Sequence, residues 1–188
     1  MKIQHENAEA VEATRKFNKD TLRYVVFDLE TTGLFAAKGD RIIEIGAVIV
    51  NGDSMGEEFN SLIFTDKKIS KEAQKVHGIT AEMLAGQPKF EEVLASFKEF
   101  MGDSTLIAHN AEFDVWFLRY EYWRVGHTLI NRHKCTLKLS RKKYPALPDY
   151  KLETVARHLG IPVNMQGRHR ALEDAKIAAQ VWIRLGGR

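Results

Sequence analysis

The stretch from Tyr24 to Leu34, YVVFDLETTGL, constrains this chain more than any other. Val25, Val26, Phe27 and Leu29 form the continuous apolar run of a strand covered on both faces, and a tight turn follows. Asp28 and Glu30 interrupt that run at i and i+2, so their side chains share one face. Two like charges buried side by side cannot both stay ionised without a compensating cation. An exposed edge strand would leave the acids in water, but the neighbouring residues are too apolar for an edge. The other reading is a divalent metal site.

The rest of the chain supplies a sheet for this strand to lie in. Ile42 to Val50 reads as a second strand, apolar apart from Glu44. Asn51-Gly52 is a hairpin signal with both residues at turn positions, and a third strand runs through Phe59 to Phe64. The first half is therefore an antiparallel meander. Ser70 to His77 is a short helix stopped by Gly78, Thr80 caps another turn, and Phe90 to Met101 is a helix stopped by Gly102. Thr105 to Ala108 is a short strand, and Asn110 is placed to cap a helix from Ala111 to about Val125. That helix is rich in rings (Phe113, Trp116, Phe117, Tyr120, Tyr122 and Trp123), which are expected mostly in the core. A strand near Cys135-Thr136, a basic helix to Tyr144, a helix from Lys151 to Leu159 and a last helix from about Ala171 to Leu185 complete the order. Strands first, then strands alternating with helices, predict an α/β protein with a mixed sheet flanked by helices.

With 188 residues the chain fits one ordinary domain, preceded here by residues 1–23 as a helical extension whose apolar stripe is thin. No apolar run is long enough to span a bilayer, and the N-terminus lacks the apolar core of a signal peptide. Cys135 is the only cysteine, so no internal disulfide can form and a cytoplasmic location is expected. The net charge of +3 permits nucleic-acid binding without arguing for it. Arg132, His133, Lys134, Lys138, Arg141, Lys142 and Lys143 crowd one segment, 132–143, which is either a solvated helix face or a patch that tracks phosphates.

Two more acids stand on elements with apolar faces. Asp174 precedes Ile177 and Ala178 by three and four residues and so falls on the apolar stripe of the last helix. Asp114 sits in the first turn after Asn110, with Phe117 and Leu118 at i+3 and i+4. The helix dipole favours an acid at either place, which makes the positions tolerable without explaining their apolar face. Four acids with few neutralising bases imply more than one cation, and hard carboxylate oxygens suit Mg²⁺ or Mn²⁺. Two such ions about 3.5–4 Å apart clamp the attacking and leaving oxygens in phosphodiester hydrolysis. His169 lies a little over one helical turn before Asp174, on a loop, VNMQGRHR, that reads as mobile, and an imidazole there can take a proton from water.

These residues resemble the DnaQ-like DEDDh 3′–5′ exonucleases, a group that includes the proofreading epsilon subunit of bacterial DNA polymerase III. FDLETTGL is similar to the first motif, with Asp28 and Glu30; HNAEFD to the second, with Asp114; HRALEDA to the third, with His169 and Asp174. GDRIIEIGAV and VHGIT are also similar to family segments, and the likeness covers about Tyr24 to Leu185. It implies an RNase H-like fold over residues 24–188: a mixed five-stranded sheet, three antiparallel strands first and then parallel additions, flanked by helices. It implies removal of nucleotides from a 3′ end with two divalent cations, Mg²⁺ or Mn²⁺, held by Asp28, Glu30, Asp114 and Asp174, with His169 as general base. It also places Thr31, Thr32, Gly33, Leu34, His77, His109, Asn110 and Phe113 near the terminal nucleotide, Leu34 and Phe113 against its base. Single-stranded DNA is the expected substrate, with a DNA polymerase as a possible partner; an RNA-trimming relative and an inactive binding module are the alternatives. The chain ends at Gly-Gly-Arg directly after the last helix, without the tail that holds the epsilon subunit to its polymerase. It is therefore expected to be either a free-standing exonuclease or a catalytic core.

Overall fold

The computed structural model describes residues 23–163 and 169–187. The expected N-terminal helix and most of the loop preceding His169 lie outside the described residues. The YVVFDLETT run forms β1 (Arg23–Thr31), paired antiparallel with β2 (Ile42–Asn51) and parallel with β4 (Thr105–Ala108). β3 (Ser54–Leu62) pairs antiparallel with β2, and β5 (His133–Cys135) parallel with β4. The order β3-β2-β1-β4-β5 puts the acid-bearing strand at the centre of the mixed five-stranded sheet expected from the sequence.

The helices are α1 (Lys71–His77), α2 (Ala81–Leu84), α3 (Phe90–Met101), α4 (Ala111–Arg124), α5 (Thr136–Lys143), α6 (Leu152–His158) and α7 (Ala171–Arg184). Period-2 alternation divides β1 between two layers. Val25, Phe27 and Leu29 join Phe90, Phe97, Val115 and Phe117 of α3 and α4 in one core. Tyr24 and Val26 face the other way, with Val48 and Val50 of β2, onto Ala178, Ala179 and Trp182 of α7. Burying each large side chain contributes roughly 1.5–3 kcal/mol, so this layer fixes α7 firmly along β1. Tyr24 meets Trp182 edge-on at 5.1 Å. The same alternation carries Asp28 and Glu30 on toward the N-terminal end of α7. Apolar packing at one end of a single interface thus delivers the acids at the other.

Several boundaries differ from expectation. The hairpin loop is Gly52-Asp53, since Asn51 pairs with Ser54 and only Gly52 takes positive φ there, at 58°. β3 starts well before Phe59, because its exposed polar residues are held by backbone pairing to β2 rather than by an apolar pattern. Its charged residues also suit an edge. Asn110 occupies the N-cap position of α4, but its side chain caps nothing; its backbone is left-handed, φ 71° and ψ 44°. Four of the six rings of α4 are core as expected, Phe117 and Tyr122 buried and Phe113 and Tyr120 packed against them, while Trp116 is 50% and Trp123 72% exposed. Ring identity marks neither face of that helix, because both carry aromatics.

Candidate active site

The site gathers where β1 ends and α7 begins. One carboxylate oxygen from each of Asp28, Glu30 and Asp174 lies within 4.8 Å of the others. Asp114 is 3% exposed and stands close enough for its charge to act on both Asp28 and Glu30. Burial raises Asp28 well above the ordinary carboxylate range, and the neighbouring charges of Asp114, Glu30, Asp174 and Glu44 raise it further. Burial also raises Asp114, against the partial relief of backbone amides at its own position and at Leu29. Glu30 is pushed up to about 8, chiefly by burial and then by Asp174 and Glu44. A donor set of carboxylates alone, held together against this repulsion, is what a hard divalent cation requires.

His169 lies beside them. Its Nδ1 is 2.8 Å from Asp174 Oδ2 and its Nε2 is 3.5 Å from Glu153 Oε1. The hydrogen bond to Asp174 is the main cause that raises this imidazole to about 9, with the charges of Asp174, Glu153 and Glu30 adding to it. Four of the five residues singled out from the sequence, Asp28, Glu30, Asp174 and His169, therefore meet in space, with Asp114 near enough for its charge to reach Asp28 and Glu30.

The eight residues placed near a substrate divide between two clefts on either side of the acids. The first, of about 580 Å³, is lined by Glu30, Thr31, Thr32, Gly33, Leu34, His77 and Phe113 among others. Leu34 there is 69% exposed. The gap beside Gly33 is filled by Asp40, whose carboxylate oxygen lies 2.5 Å from where a Cβ would stand, so Gly33 offers only backbone to the cleft. His77 is buried and accepts a hydrogen bond from the Ile79 amide at Nδ1. Burial lowers its pKa, with the Thr31 backbone opposing.

The second cleft, of about 920 Å³, is lined by Asp28, Asp174, His169, His109, Asn110 and Glu153, with the bases Arg141, Lys151 and Arg157. His109 spends both ring nitrogens on the fold: Nε2 donates to the Tyr150 carbonyl at 2.7 Å, leaving Nδ1 to accept from the Thr136 hydroxyl at 2.8 Å. The non-glycine positive φ at Asn110 lies beside it, a backbone strain that characteristically gathers at functional sites. Of the basic segment 132–143, Arg141 lines this cleft. Lys138 is paired with Glu112, Lys143 reaches the Leu185 carbonyl, and Lys134 lies over the Tyr24 and Trp182 rings.

Sequence reasoning missed the supports of this arrangement. Glu44 is visible as the lone charge in an apolar strand, and it is fully buried against Arg170 and the Ala171 amide. Gly46 gives no signal; a Cβ there would stand 2.0 Å from the Leu172 backbone nitrogen, so its absence lets the start of α7 lie flush on β2. Glu153, opposite His169, looks in sequence like an ordinary acid in the first turn of a helix.

The RNase_T family model, described as Exonuclease, matches residues 25–182. The chain is 40% identical over 163 residues to the DNA polymerase III subunit epsilon of Aquifex aeolicus (strain VF5), covering 86% of this chain and 79% of that protein. It is 44% identical over 158 residues to the PolC-type DNA polymerase III of Clostridium perfringens (strain 13 / Type A), where it spans 84% of itself but 11% of the relative's length. Among solved structures, Exonuclease X in complex with 5′ overhanging duplex DNA matches at 31% identity and TM-score 0.68, over 88% of this chain and 90% of that one. The nuclease domain of 3′hExo, a DEDDh family member bound to rAMP, shares the fold at 18% identity and TM-score 0.72, over 87% and 91% of the two chains. With the acids of all three motifs and the histidine brought together at one end of such a sheet, the chain belongs to the exonuclease family, among its DnaQ-like DEDDh 3′–5′ members.

Proposed function

We propose that this domain removes nucleotides one at a time from the 3′ end of single-stranded DNA, using two divalent cations, Mg²⁺ or Mn²⁺. The observation that carries this reading is the meeting of Asp28, Glu30 and Asp174 within 4.8 Å, with His169 hydrogen-bonded to Asp174. Asp28, Glu30, Asp114 and Asp174 would hold the cations. When bound, these supply Lewis-acid polarisation of the scissile phosphate and stabilise the leaving oxygen. The first cleft takes the terminal nucleotide, with Leu34 and Phe113 packed on its base, a contact that every base satisfies. The second cleft takes the preceding phosphates beside Arg141 and Lys151. His169 accepts the proton of the attacking water.

A DNA substrate and a proofreading role are supported by the names of the polymerase III relatives and by the DNA-bound Exonuclease X. The same reading makes residues 24–188 the nuclease domain behind an extension 1–23, working in the cytoplasm with a DNA polymerase as its partner. No described helix is long and apolar enough to cross a membrane. The test is digestion of matched DNA and RNA oligonucleotides labelled at the 5′ end, with Mg²⁺ or with chelator, beside a closed circular single strand. A metal-dependent ladder from the linear DNA, with mononucleotide release and an untouched circle, is expected. Faster trimming of the RNA would overturn the substrate, and cutting of the circle would overturn the requirement for a free end.

The raised groups also predict how protons and cations compete. In the unfolded chain Glu30 ionises near the ordinary carboxylate value, about 4.3; in the metal-free fold it keeps its proton up to about 8. Asp28 and Asp114 shift in the same direction. The His169–Asp174 pair is fully formed below about 6.5, the ordinary histidine value, and is lost as pH rises through about 9. In each case the fold holds more protons than the unfolded chain, so stability falls as pH rises through this window. The melting temperature of the metal-free domain is expected to fall from pH 5 to pH 9. The increment given by saturating Mn²⁺ is expected to grow over the same range, because cations must displace those protons. Thermal melts at fixed ionic strength measure both, and an increment independent of pH would contradict the assignment.

A further inference from the structure

The Glu44 carboxylate, 0% exposed, is engaged from three directions. Arg170 Nε lies 3.0 Å from both of its oxygens, Arg170 Nη2 lies 2.6 Å from Oε1, and the Ala171 amide donates to Oε2 at 3.1 Å. Arg170 is the N-cap residue of α7, where its own side chain cannot cap, and Glu44 supplies that cap from the neighbouring strand. The Arg170 carbonyl accepts the Asp174 amide at 3.0 Å, and Arg170 follows His169 directly. Across the β1–β2 ladder Glu44 stands opposite Glu30, and Gly46 opposite Asp28. The ladder slips one residue at this point, skipping Ile43.

The pair is buried on the Glu44 side alone, since the Arg170 side chain is 40% exposed. Ion pairs with a buried member contribute little net stability compared with apolar residues of the same volume, and their best-attested use is to fix register. This pair sits where register matters. It joins the strand opposite the Asp28 and Glu30 positions to the backbone that carries His169 and Asp174. We infer that Glu44 and Arg170 are positioning residues, a clamp that sets the start of α7 so that His169 and Asp174 meet Asp28 and Glu30 in a single arrangement. Neither side chain lines either cleft, so both act through the α7 backbone. The inference rests on the exonuclease reading above.

The test compares wild type, Glu44→Gln, Arg170→Lys and the double variant Glu44→Gln/Arg170→Gln. Single-turnover rate constant, half-saturating oligonucleotide concentration, Mn²⁺ affinity and melting temperature are read for each. The double variant removes one charge of each sign, so the net charge beside the acids is unchanged. Its single-turnover rate constant is expected to fall roughly 10–100-fold, as for lost supporting contacts and angstrom-scale misplacement, while oligonucleotide and Mn²⁺ binding stay within about threefold. Arg170→Lys keeps the charge without the planar fork and should recover part of the rate. Because the two residues act as a unit, the double variant should be no slower than the slower of Glu44→Gln and Arg170→Gln, the latter measured alongside. If the Glu44 variants do not fold, Arg170→Lys decides alone, with a loss of about tenfold expected at unchanged binding. Rate constants within twofold of wild type, or losses confined to oligonucleotide or Mn²⁺ binding, overturn the inference. A wild-type chain that digests no 3′ end overturns the exonuclease reading instead.

Discussion

Replacing Asp28 with alanine is expected to abolish 3′-end hydrolysis at any practical Mg²⁺ concentration, a loss of at least roughly 10³-fold, or about 4 kcal/mol of barrier. Asp28 is the residue around which the other charges are arranged. It lies on the central strand, within 4.8 Å of Glu30 and Asp174 by carboxylate oxygen, and its charge is opposed by Asp114, Glu30, Asp174 and Glu44. That crowding is unfavourable in the metal-free fold. Asp28→Asn, which keeps the shape and removes the charge, is therefore expected to raise the metal-free melting temperature while removing turnover and most of the Mn²⁺ increment. Stability gained together with activity lost identifies a residue kept for chemistry at a cost to the fold. Near-normal turnover in either variant, or a metal-free melting temperature that falls in Asp28→Asn, would sink the metal assignment.

The same crowding explains why so much of this site is legible in the amino-acid sequence. Carboxylates in apolar surroundings break the local rule for strands and helices, and breaks of that kind are expected at functional sites. Asp28, Glu30 and Asp174 each announce themselves in this way, and their meeting follows from which face each one lies on. Tyr24 and Val26 pack on α7, so Asp28 and Glu30 must face it too. What stays hidden is held by tertiary contacts that leave little local pattern. Gly46 matters only because the α7 backbone crosses it. Arg170 and Glu44 are far apart in sequence, and each alone reads as a surface charge or an oddity. The polar start of β3 takes its structure from pairing with β2. The exposed Trp116 and Trp123 show the limit of reading burial from residue type, since the helix periodicity places rings on both faces.

His169 presents the sharpest chemical test, because in the metal-free fold its neighbours favour the protonated ring, the form that cannot act as a base. Its Nδ1 is committed to Asp174 at 2.8 Å, and the ring holds its proton up to about 9. A protonated imidazole cannot accept another proton, so service as a general base requires a neutral ring, in which Nδ1–H can stay on Asp174 while Nε2 accepts. His169→Asn separates the two roles. Asparagine cannot take the proton, yet it imposes no ionic competition for Asp174 and leaves the four acids in place. Mn²⁺ affinity at neutral pH is therefore expected to be equal to or tighter than wild type, and single-stranded DNA binding unchanged. Single-turnover cleavage is expected to fall by roughly 10²–10⁴-fold, the usual loss of a positioned base. The pH dependence of Mn²⁺ affinity should flatten as well, because one group that gives up a proton on binding is gone. Weakened Mn²⁺ binding with normal turnover at saturation would make His169 a holder of Asp174 and nothing more. Wild-type turnover with an unaltered pH profile would remove it from the chemistry altogether.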